Sequence, residues 1–146
     1  MDLAVAREPL VGYRGFRLLP DGRLCSLYRW VPWEPGRVLV AQCLARAWPP
    51  TPRPGAHRAP RVGCGCGITA LSGTRHDPWP AGAIGGVVAL SGAVILRETI
   101  PPRPGHVVML AERARLLALA QGDNQRADQI ASRYGVVLLS NLEEWA

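Results

Sequence analysis

Lysine is absent from the 146 residues, and all 17 basic side chains are arginine. With 11 acidic residues the formal charge is +6, which raises attraction to nucleic acid or another acidic surface as a reading to test. The same absence, beside abundant alanine, glycine and proline, is what a GC-rich coding bias produces without selection for binding. The arginines are scattered between positions 7 and 133 with no run of five like charges, which excludes a basic tail. The opening Met1-Asp2-Leu3-Ala4-Val5-Ala6-Arg7-Glu8-Pro9 lacks the basic region and apolar length of a secretory leader, so the expected location is cytoplasmic. No P-loop, no Gly-x-Gly-x-x-Gly after a strand, no Gly-x-Ser-x-Gly and no His-Glu-x-x-His occurs, and the corresponding chemistries lose their sequence support.

The length fits one domain, expected to cover residues 1–146, and no internal repeat divides it. Residues 79–96 carry no charge over 18 positions, the lower limit for a spanning helix. Their glycines and proline favour a buried β-hairpin that turns at Ser91-Gly92, so no membrane contact is expected.

What the chain has in plenty is punctuation: 16 glycines and 14 prolines, roughly a fifth of the residues against about an eighth in an average protein. Pro20-Asp21-Gly22 between the apolar runs 13–19 and 23–28 predicts an antiparallel hairpin. Residues 1–46 are read as this hairpin region, with Trp30 and Trp33 as lids over a small core. Residues 47–62 form a Pro/Arg-rich loop, since proline lacks the amide donor that a helix interior or central strand requires, and the metal-binding loop is read as 47–68. Residues 83–146 hold the second hairpin, at 87–98, and then helix formers. Val107, Leu110, Ala111, Ala114, Leu117 and Ala118 make a helical stripe over 106–121. A second helix is predicted from a cap at Asp123 or Asn124 to Gly135, followed by a short strand over 136–139. The expected fold is therefore α+β, a small antiparallel sheet of hairpins with a metal-clipped loop and two C-terminal helices packed on one face.

A loop of that length in a small domain needs an anchor. Cys43, His57, Cys64 and Cys66 bracket and occupy it, and thiolate with imidazole is the donor set that tetrahedral zinc prefers. Glycines around Cys64-Gly65-Cys66-Gly67 let backbone amides turn toward the sulfurs. Cys25 or His76 remains an alternative for Cys43 or His57. Four protein donors leave no open position, so the zinc is expected to be structural. The deaminase pattern fails, because His57 is followed by Arg58-Ala59 and the cysteines are one residue apart. Only Cys25 is left over as a nucleophile, so no catalytic residue is assigned.

His57-Arg58-Ala59-Pro60 and Cys64-Gly65-Cys66-Gly67-Ile68 together resemble a motif of small uncharacterised proteins of high-GC Gram-positive bacteria and their mobile elements. Trp33-Glu34-Pro35-Gly36, Cys43, the segment 86–92 and Tyr134-Gly135-Val136 are similar to further features of that family. The resemblance implies a shared metal-bound fold and no assigned activity.

The expected function is a non-enzymatic, zinc-stabilised interaction or regulatory module with a protein partner. A nucleic-acid binder is the alternative, reading either through a basic loop containing Arg46, Arg53, Arg58 and Arg61 or through a degenerate helix-turn-helix over 116–136 that exposes Gln125, Arg126, Gln129 and Arg133. A small enzyme with a cleft near the tryptophans is the third reading.

Overall fold

The computed structural model describes residues 3–29, 31–44, 51–53, 55, 57–74 and 78–145. Its framework is three long strands, β1 (Leu3–Leu18), β6 (Ile84–Glu98) and β7 (Val107–Ala120). Short strands fill in between and after them: β2 (Leu24–Ser26), β3 (Pro32–Trp33), β4 (Leu39–Val40), β5 (Ile68–Leu71) and β8 (Val137–Leu139). All belong to one mixed sheet. β6 lies antiparallel between β1 and β7, while β5 pairs with β7 and touches β1 at Tyr13↔Leu71. The four strands thus close on themselves around the core, which removes exposed edges at that end.

The Asp-Gly turn forms as expected, joining β1 to β2 with Leu18 opposite Leu24. Gly22 takes φ +86 there, and Asp21 accepts hydrogen bonds from the Arg23 backbone N–H at 3.0 Å and from Arg23 Nε at 2.8 Å.

Besides the parallel pairing of β8 with β7, which makes the sheet mixed where an antiparallel one is expected, the expectation fails in two places. The first of the two predicted C-terminal helices is β7, whose alanines, leucines and arginines carry high helix propensity. Tertiary pairing overrides that preference, because β6 occupies one edge of the segment and β5, β4 and β8 the other. Arg113 and Arg115 are exposed and alternate with buried Glu112 and Ala114, a period of two that the helical stripe hides. The proposed helix-turn-helix consequently lacks its first helix. The helix that does form is α1 (Ala127–Tyr134), stopped by Gly135 at φ +66 as the sequence predicts.

The second failure is the expected hairpin at 87–98, which is a single strand. Gly92, at φ +79, produces a bulge there rather than a turn, with register shifts between Ser91 and Val94 against β7 and between Ala6 and Leu10 against β1. Pro9 falls in the opposed irregularity, where its missing N–H costs no ladder bond. Among the described residues no helix is long and apolar enough to cross a membrane.

Phe16, Leu24, Ile84, Val88 and Leu90 are fully buried in the main core, and Phe16 meets Trp33 edge-on at 4.9 Å between ring centroids. Trp33 is thus a core lid. Tyr134 ties α1 to this end: its hydroxyl accepts from the Leu24 N–H at 2.8 Å and donates to the Trp33 carbonyl. Tyr134→Phe strands both buried backbone groups, so a loss of about 1–3 kcal/mol is expected in urea unfolding with an unchanged slope. An unchanged midpoint would show that the hydroxyl contributes nothing.

Candidate metal centre

Two chain segments deliver the donors. β4 runs on through Cys43, where isolated bridges Gln42↔Arg58 and Leu44↔Pro52 hold the returning loop alongside it. On the other side, Cys64 and Cys66 lie just before β5, whose Ile68 is registered against Ala111 of β7. Gly67 makes the turn into β5 at φ +119 with Pro60 and Leu110 packed about it, and a Cβ there would sit 3.1 Å from Pro60. Glycine is required by both the backbone angle and the space.

The donor atoms of Cys43, His57, Cys64 and Cys66 all lie within 4.8 Å of one another. Cys43 and Cys64 sulfurs are 3.9 Å apart, and His57 Nε2 is 3.2 Å from Cys66 Sγ. With Zn–S at about 2.3 Å and Zn–N at about 2.1 Å, a tetrahedron has edges of about 3.8 Å between sulfurs and about 3.6 Å from sulfur to nitrogen. The Cys43–Cys64 and His57–Cys66 distances match these edges to a few tenths of an ångström and the other pairs lie within 4.8 Å, so these residues fit a metal ion of that kind with a small inward shift of the donors. No disulfide joins any cysteine pair.

The electrostatics of the cluster suit a cation. The Cys66 backbone N–H, then the Cys66 and Cys43 side chains and Arg53, hold the Cys64 thiol below its ordinary range. Cys66 is pushed up to about 11, first by burial and then by the neighbouring Cys64 sulfur. Ionising three crowded sulfurs together is unfavourable unless a positive ion lies among them.

Cys25 does not join the cluster. It is fully buried in β2, and its sulfur lies 3.5 Å from the Arg29 carbonyl. His76 and Arg46 lie outside the described residues. The other loop arginines turn toward their own chain. Arg53 Nη1 is 3.7 Å from Cys64 Sγ, Arg61 Nη1 is 3.4 Å from His57 Nδ1, and Arg58 Nη2 donates to Glu112 Oε2 at 2.5 Å.

Glu112 is the residue that sequence reading misses. It is buried in β7, and its second oxygen accepts the Ala93 N–H at 3.1 Å, inside the β6 bulge. Arg58, then the Ala93 N–H and the charges of Arg113 and Arg58, hold its carboxyl below the ordinary range against the opposing effect of burial. The available signal is a lone acid within the apolar run of β7, flanked by arginine. No family model, no curated protein and no solved structure matches this chain.

Proposed function

We propose that the chain is a zinc-stabilised module that acts by contact with a protein partner, without turnover at the metal. The observation that carries this reading is the convergence of four protein donors on one point. Three cysteines and a histidine complete a tetrahedral shell, leaving no position for a water or substrate. Zinc held in this way contributes folding free energy and shapes the loop. A partner surface is available on the amino-terminal half of β1, which pairs only with β6 there and keeps its other backbone edge open among the described residues. Leu3 and Val5 on that stretch are 53% and 74% exposed, the kind of edge to which another chain adds a strand. Nucleic-acid contact through the loop gains no separate support: Arg53, Arg58 and Arg61 stay exposed, and each also meets a partner within the chain.

X-ray absorption at the zinc edge on the purified protein tests the reading. The expected shell is three sulfurs at about 2.3 Å and one nitrogen at about 2.0–2.1 Å. A shell with an oxygen in place of a protein donor would mean an open, catalytic type of site and would overturn it.

A further inference from the structure

Beside the metal loop lies a cavity of about 460 Å³, walled by β1, β5 and the segments around residues 26–31 and 39–44. That volume is in the range of small-molecule sites. Leu27, Leu71 and Trp79 contribute apolar surface, and Arg14 and Arg29 contribute the charge. Among the described residues no aspartate or glutamate lines the cavity.

Arg14 is the unusual group. Its guanidinium carbon sits 5.0 Å from the Phe16 ring centroid and 5.1 Å from that of Trp33, so aromatic faces hold it in place. Nη1 donates to the Thr69 carbonyl at 3.0 Å, while Nε is buried without a hydrogen-bond partner. Burial draws its pKa down to about 10, which leaves it charged at neutral pH. Arg29 likewise spends Nη1 on a carbonyl, that of Leu44 at 3.2 Å. Two arginines thus line one cavity with backbone oxygens as their hydrogen-bond acceptors and, among the described residues, no carboxylate in its wall to balance them. Buried charge is costly unless paired, and an acid group entering the cavity supplies the missing partner through charge-assisted hydrogen bonds.

We propose that this cavity binds a small organic anion, an acidic headgroup on an apolar body, with the headgroup paired to Arg14. The apolar body lies against Leu27, Leu71 and Trp79, and Arg29 adds a second positive charge at the wall. Cys66 and Gly67 back the cavity from the metal side, so the ligand and the metal loop share a boundary. The inference rests on β1 and β5 and stands whichever ion the cysteines hold.

The test titrates the purified protein with 4-phenylbutyrate, phenyl phosphate and the neutral 4-phenylbutyramide, following tryptophan fluorescence and the Arg14 Nε–H resonance by ¹⁵N NMR. At least one acid is expected to bind saturably at millimolar concentration or below and to shift that resonance. The tighter of the two identifies the headgroup as carboxylate or phosphate. The amide is expected to bind at least about tenfold more weakly, and Arg14→Gln to weaken the acid about 10- to 100-fold. Arg14→Lys, which keeps the charge and loses the fork, is expected to fall between. If Arg14→Gln fails to fold, the comparison of acid with amide and the Nε–H shift decide on the unmodified protein. The proposal is overturned if neither acid binds, if the amide binds equally well, or if a folded Arg14→Gln protein binds undiminished.

Discussion

Replacing Cys66 by serine, or stripping the metal with a chelator, is expected to free the segment 51–67 from the sheet while the sheet survives. The reason lies in how little else holds that segment. Its small core consists of Cys43, Ala59 and Cys66, with Ala41 and Cys64 against them, so three of the five side chains in it are sulfur ligands. Among the described residues backbone support is equally thin: two isolated bridges, the Arg53 N–H on the Cys43 carbonyl and the Cys64 N–H on the Arg61 carbonyl. Apolar burial of that size cannot offset the entropy of ordering so many residues, at roughly 1–2 kcal/mol each. The main core around Phe16, Leu90 and Leu119 has no buried residue in common with the loop cluster, and half-buried Ala41 packs against both. Hydrogen exchange on the metal-free protein is therefore expected to show fast amides over 57–66 and retained protection in β6 and β7. Metal affinity in Cys66→Ser is expected to fall by more than about 100-fold, since losing even an outer-sphere partner commonly costs 10–100-fold. Full zinc occupancy in Cys66→Ser and His57→Ala together would remove the metal assignment. Cooperative loss of the whole sheet on chelation would show that the metal holds the entire domain.

Much of the loop was legible because its chemistry is local. Cysteine and histidine have few roles in such company, and a Pro-rich segment with few large apolar residues advertises its need for an anchor. The turn at Asp21-Gly22 and the stop at Gly135 were legible for the same reason, each being a backbone requirement written at one or two positions. What the sequence hid was nonlocal. The segment 107–120 carries a helical stripe and many helix formers, and the strands that flank both of its edges make it a strand. Gly92 signals a positive φ correctly, yet the same signal serves a turn or a bulge, and the choice depends on β1 and β7 continuing alongside. Glu112 leaves only a faint signal, a lone acid in an apolar run, because its meaning comes from Arg58, which reaches it from the middle of the metal loop.

Glu112→Ala is expected to lower stability by about 1–3 kcal/mol, because it strands a half-buried N–H at Ala93 and leaves Arg58 without its partner. The carboxylate joins two features that are otherwise separate. One oxygen fills the bulge, where the Gly92 Cα approaches so closely that an added Cβ would lie 2.7 Å from Glu112 Oε1. The other holds Arg58, the neighbour of His57, at 2.5 Å. The pH dependence follows from the same contacts. In the unfolded chain the carboxyl titrates near about 4.3, whereas in the folded chain Arg58 and the Ala93 N–H hold it lower. Between the two values the unfolded chain binds more protons, so stability rises with pH there. The contribution is fully present above the unfolded value and is lost as pH falls through the folded one. Glu112→Gln, which keeps an acceptor for Ala93 but no charge for Arg58, is expected to flatten that acid limb in thermal unfolding. It is also expected to weaken metal affinity about 10-fold by loosening the segment that carries His57. Pairing Glu112→Gln with Arg58→Met in a double-mutant cycle isolates the link, and coupling is expected both in stability and in metal affinity. Strictly additive effects would show that the ion pair does not carry the connection between the bulge and the metal loop.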